Sequence, residues 1–146
     1  MRRGIRKYRE LIFFHMTIDQ MYQEIGKAAL NVAEGRASKV LVYAEVQDGT
    51  ISCDEFYLDK AGILQFRFCP KPMKELIYSF WEKWKECPGN QEWRAMSYVI
   101  EDGEFRIDLK YPDQIDPNQG FSGRRPLAVK ERFGEMKVDY SKPRGS

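Results

Sequence analysis

The chain has 146 residues, 42% hydrophobic and 32% charged, with a formal net charge of +2. That is one domain's worth of sequence, long enough to bury roughly two-thirds of its unfolded surface, and no apolar run approaches the ~18 residues that a membrane span needs. Three cysteines, Cys53, Cys69 and Cys87, lack Cys-x-x-Cys spacing, which argues against a zinc site and a disulfide framework and for reduced thiols in a cytosolic protein.

Residues 1–15 form a basic leader, with Arg2, Arg3, Arg6, Lys7 and Arg9 against Glu10. Its apolar run, Leu11 to Phe14, is too short for the core of a signal peptide. Met16, directly before the first helix signal, reads as the true start, with a nucleic-acid or membrane arm as the other use of such a leader. Positions 16–143 hold 18 basic and 21 acidic residues, a net of −3. The body is therefore mildly acidic, which opposes a polyanion partner and favours a basic one.

Thr17-Ile18-Asp19-Gln20 is a capping-box pattern, followed by Ile18, Met21, Tyr22, Ile25, Ala28, Ala29 and Val32 at helical spacing up to Ala33. Gly35 ends that helix. Three strands are predicted next, Val40–Gln47, Ile51–Leu58 and Ile63–Cys69, joined by the turn-rich Asp48-Gly49 and Asp59–Gly62. Pro70 and Pro72 open a second helix, Met73 to Cys87. Its apolar stripe is Met73, Leu76, Ile77, Phe80, Trp81 and Trp84, a core pattern rather than a ligand-stacking platform.

Residues 93–111 read as a hairpin. Asp102-Gly103 suits a type I′ turn, whose two central residues need positive φ. Behind it Phe105, Ile107, Leu109 and Tyr111 alternate with Glu104, Arg106, Asp108 and Lys110, giving an apolar face for a core and a charged one for water. A loop follows over 112–123, a short helix is expected around Pro126–Phe133, and 138–146 is expected as a flexible tail. The order α-βββ-α-ββ-α defines a single α+β domain, residues 16–137, with helices on an antiparallel sheet. Short links impose antiparallel neighbours, and only the helical connection 70–92 is long enough to cross the sheet.

Chemistry-bearing patterns are sparse. His15 is the only histidine and lies in the leader, so Ser-His and Cys-His nucleophilic sites and a histidine metal cluster are not expected. No phosphate-binding glycine loop is present. Gly120 to Arg125 is glycine-rich and basic, but no strand leads into it as a phosphate loop requires. Phe66-Arg67-Phe68 interleaves aromatic and basic residues as nucleic-acid-stacking sheets do, against the body's acidic charge.

Several stretches resemble the YezG-like immunity (antitoxin) family of small bacterial proteins. They are Met21-Tyr22-x-x-Ile25, Val42-Tyr43-Ala44-Glu45-Val46, Trp93 leading a strand, Gly103 to Asp108, and Arg124-Arg125 before a helix ending at Phe133-Gly134. The resemblance spans about 17–135, in the family's order; the basic leader and the basic 124–132 segment depart from its pattern. It implies an α+β protein that neutralises a cognate toxin, typically a nuclease, by binding it in the cytoplasm, and it supplies no catalytic residues.

The expectation is therefore a non-enzymatic immunity protein with no cofactor and no metal site. The toxin-binding residues expected are Glu101, Asp102 and Glu104 at the hairpin tip, Asp108 on its charged face, and Asp113 and Asp116 in the following loop. Blockade would be steric and electrostatic, over an interface of about 1,200–2,000 Å². The alternatives are a small carboxylate-based hydrolase or nucleotide-processing enzyme, and a nucleic-acid-binding module using the leader.

Overall fold

The computed structural model describes residues 15–145; the basic leader lies almost entirely outside them. Helix α1 (Ile18–Val32) starts where the capping box was expected. The Thr17 hydroxyl accepts from the Gln20 N–H at 3.1 Å, and the Gln20 side chain accepts from the Thr17 N–H at 2.8 Å. Glu34 and Gly35, with φ of 55° and 69°, turn the chain out of the helix into β1 (Ala37–Gln47). The two-residue turn Asp48-Gly49 leads to β2 (Thr50–Asp59), and the Asp59 carboxylate, accepting from the Ala61 and Ile63 N–H groups, shapes the turn into β3 (Leu64–Phe68).

Helix α2 (Lys71–Glu86) then carries the chain across the sheet, so that β4 (Ala95–Glu101) pairs with β1 rather than β3. Hairpin partner β5 (Glu104–Lys110) follows, then a 3-10 turn (Pro112–Gln114), helix α3 (Phe121–Phe133) and the two-residue β6 (Val138–Asp139). Strand order is β5-β4-β1-β2-β3-β6. The expected α-βββ-α-ββ-α order is present, with antiparallel pairing throughout except the parallel contact of β6 with β3. β6 lies in the stretch expected as a tail, and the Phe68 N–H extends the contact by donating to the Pro143 carbonyl at 2.8 Å. Helix α3 begins five residues before the expected Pro126. Gly123 and Pro126 disguise its first turns, since Pro126 has no N–H to give the helix.

The sheet is buried on both faces. Val40, Val42, Ala44 and Val46 of β1 point to the layer of α1 and α2, together with Tyr57, Trp81, Trp93, Met96 and Tyr98. Phe80 and Trp81 are core, as the helical spacing implied, and the Trp81 indole donates to the Trp93 carbonyl at 2.8 Å. Each such fully buried large side chain contributes about 1.5–3 kcal/mol through burial. The alternate residues Leu41 and Tyr43, with Phe56, Phe66 and Val99, meet Ala128 and Val129 of α3 on the opposite face.

Candidate functional site

The β4–β5 hairpin has the geometry its turn residues dictate. Asp102 and Gly103 both have positive φ, 53° and 74°, and Glu101 pairs directly with Glu104 across them. The backbone is thereby fixed and the carboxylates project from a rigid tip. Asp102 and Glu104 are exposed. Glu101 lies 3.8 Å from the Lys39 ammonium and 3.9 Å from the Arg106 guanidinium, loose contacts at the surface.

The other expected site residues divide from the tip. Asp108 is bound within the molecule, accepting from Arg132 of α3 at 3.0 Å. Asp113 sits in the 3-10 turn, and Asp116 caps its own loop by accepting from the Asn118 N–H at 2.9 Å. Both lie past the far end of β5, on the order of 20 Å from the tip at strand rise. The fold therefore brings Glu101, Asp102 and Glu104 together, pairs the half-exposed Asp108 with Arg132 of α3, and places Asp113 and Asp116 at the opposite end.

Three arginines of α3 dominate the face beneath it. Arg124 holds Glu45, Arg125 holds Asp54 at 2.6 Å, and Arg132 holds Asp108. Burial opposes ionisation of Glu45, but hydrogen bonds from Arg124 and Tyr43 outweigh it and keep the carboxyl below its ordinary range. At Asp54 burial wins and the carboxyl is raised despite Arg125. The Arg125 guanidinium also lies 5.6 Å and 5.3 Å from the Phe56 and Phe66 ring centres. Arg124 and Arg125, the basic pair of the glycine-rich segment, are thus engaged by carboxylates of the sheet. A cavity of about 220 Å³ remains between α3 and β4–β5, lined by Tyr43, Ser97, Asp108, Gln114, Gln119 and Glu131 among others.

On the other face Glu55 is 0% exposed, and neither carboxylate oxygen has a hydrogen-bond partner. Burial pushes its proton affinity well above normal, against the pull of Arg67 on the facing strand. Sealed from solvent, this carboxyl offers no access to a substrate. Arg67 itself is 4% exposed, donating to the Tyr57 hydroxyl at 2.9 Å. Phe66 is buried on the α3 side while Arg67 points the other way, so Phe66-Arg67-Phe68 is not a continuous stacking surface. A strand buried on both faces reads as a near-continuous apolar run, and Asp54-Glu55 and Arg67 interrupt that run, so nothing local to them marks Glu55 and Arg67 as interior.

Among the described residues no group of three or more His, Cys, Asp or Glu side chains is placed to hold a metal ion, and no helix is long and apolar enough to cross a membrane. The chain matches no family model, and no curated protein matches it.

Proposed function

We propose that this protein is an immunity protein that binds a cognate bacterial toxin domain, a nuclease, in the cytoplasm and blocks it sterically and electrostatically. One observation carries the reading. Glu101, Asp102 and Glu104 are held on a two-residue turn whose flanking strands are locked into the sheet. Ordering an interface costs less when the groups that meet the partner are already fixed. A nuclease presents a basic cleft to its own substrate, so a preorganised acidic tip on an acidic body complements it and speeds encounter. The α+β order agrees with the fold that the family resemblance implies. The carboxylates beneath α3 are engaged in holding the fold together, whereas Asp102 and Glu104 at the tip are exposed to solvent.

The test is co-expression with the toxin domain encoded in the neighbouring reading frame, followed by affinity capture. Rescue of growth together with a stoichiometric complex supports the reading. Turnover of phosphoesters or nucleotides that follows this chain through purification, without toxin capture, would replace it with the hydrolase.

A further inference from the structure

The two edges of the sheet are treated differently by the chain. At one, β3 is covered by β6 and by the Pro143 carbonyl. At the other, β5 has no partner strand among the described residues. Seven residues long, β5 pairs with β4 without a register shift and contains no proline. It thus lacks the bulge or proline that commonly blunts an open edge.

Register fixes what that edge presents. Val46 of β1 takes the Arg94 carbonyl, so residues 94, 96, 98 and 100 aim their backbone groups at β1 and the odd ones at β5. Across β4–β5 the hydrogen-bonded pairs are then Ala95 with Lys110, Ser97 with Asp108, Val99 with Arg106 and Glu101 with Glu104. Phe105, Ile107 and Leu109 therefore turn their N–H and C=O groups outward. The Phe105 carbonyl confirms the direction by accepting from the Tyr22 hydroxyl on that side.

The sequence of this edge, Glu-Phe-Arg-Ile-Asp-Leu-Lys, is complementary to itself when reversed. We infer that β5 pairs antiparallel with β5 of a second copy of this chain, about a twofold axis through Ile107, joining two sheets into one. In that register Glu104 faces Lys110 of the other copy, Arg106 faces Asp108, Phe105 faces Leu109, and Ile107 faces itself. The outward backbone groups all fall on hydrogen-bonded pairs, while the charged residues fall on the closer, non-hydrogen-bonded pairs where opposite charges help most. The Leu109 N–H shares the Phe105 carbonyl with Tyr22. A slip of two residues either way sets Arg106 against Arg106, or Asp108 against Asp108, and is disfavoured by like charge. The face carrying Phe105, Ile107 and Leu109, only partly buried in one chain, gains apolar neighbours across the axis.

This inference does not rest on the toxin reading, because it concerns the purified chain alone. Sedimentation of the full chain over a wide concentration range is expected to show mass rising from 17.2 kDa toward twice that value. Glu104→Lys and Lys110→Glu each place like charges opposite one another twice per dimer, so each is expected to raise the half-dimer concentration about tenfold. The double variant restores opposite charges and is expected to return within about threefold of the parent. The Lys110 contact with Glu131 is a 4.0 Å surface pair, so its loss leaves the fold intact. Ile107→Pro removes an outward N–H and no bond of the chain's own sheet, and is expected to abolish dimers while circular dichroism keeps the parent spectrum. A chain that stays monomeric throughout overturns the inference. So do single charge variants that dimerise like the parent, or a folded double variant that stays as weak as the singles. Such a result leaves the hairpin tip available to a toxin, so the two readings fail separately.

Discussion

Arg124 grips Glu45 with two nitrogens, Nε at 2.8 Å and Nη2 at 2.7 Å, and thereby ties the first turns of α3 to β1. The same guanidinium donates to the Asp116 and Gln119 carbonyls, so one side chain fixes the loop, the helix and the sheet together. Tyr43 completes the group by donating to Glu45 at 2.6 Å, and its ring stacks on Phe121 at 5.6 Å.

Arg124→Met is expected to destabilise the protein by about 3 kcal/mol, since the pair is only 17% and 9% exposed and Glu45 would be left without its cation. Arg124→Lys keeps the charge but loses the fork and should fall between. The pH dependence has a definite sign. Glu45 is held below its ordinary range, so its contribution is complete above the unfolded value of about 4.3. It is lost as pH falls through the lower folded value. The gap between parent and Arg124→Met, measured by urea unfolding, should therefore shrink in acid.

Glu55 gives the opposite slope. Its carboxyl is raised by burial, so the folded state holds a proton that the unfolded state releases above about pH 4.3. Stability is then lost as pH rises, up to the folded value. Glu55→Gln keeps the shape and cannot ionise. It should match the parent near pH 4 and exceed it at pH 8, the gap widening by up to about 1.4 kcal/mol per pH unit between the two values. Parallel stability curves would show that Glu55 is ionised and solvated in the native protein.

Element order was legible in the sequence because local chemistry dictates it. Thr17 and Gln20 cap, Asp102-Gly103 turns, and the stripe from Met73 to Trp81 buries. What was not legible depends on pairings distant in sequence. Glu45 and Arg124 are 79 positions apart, and nothing local to either names the other. Asp108 reads as a solvated strand residue until α3 places Arg132 over it. The start of α3 was hidden by Gly123, which reads as loop, and by Pro126, which reads as the first residue of a helix rather than a residue inside one. β6 is two residues long, too short for any periodicity to declare.

Gly26 faces the hairpin from α1. A Cβ there would come within 2.7 Å of the Phe105 ring and of the Tyr98 hydroxyl, which itself donates to the Tyr22 carbonyl. Alanine would ordinarily strengthen a helix by about 1 kcal/mol. Here overpacking against two aromatic side chains costs about 1–3 kcal/mol and outweighs that gain. Gly26→Ala is expected to lower the thermal midpoint by several degrees, and a higher midpoint would show that Phe105 can move aside freely.

The hairpin tip provides the test of where a toxin docks. Glu101→Gln with Asp102→Asn removes two carboxylates, and asparagine tolerates the positive φ at position 102. Both leave the apolar face of β5 and the Asp108–Arg132 pair untouched, so the fold should keep its midpoint within a few degrees. They also spare Glu104, which separates this test from self-association through β5. If the acidic tip steers a basic toxin, the double variant should associate about three- to tenfold more slowly at low salt, with dissociation little changed. The difference should narrow as ionic strength rises and exposed charges are screened. Stopped-flow association at low and high salt reads both effects. Identical association rates at every ionic strength, from a folded variant, would move the interface away from the tip. The segment 112–125, from the 3-10 turn into the first turn of α3, and the exposed side of α2 would then be the surfaces to alter next.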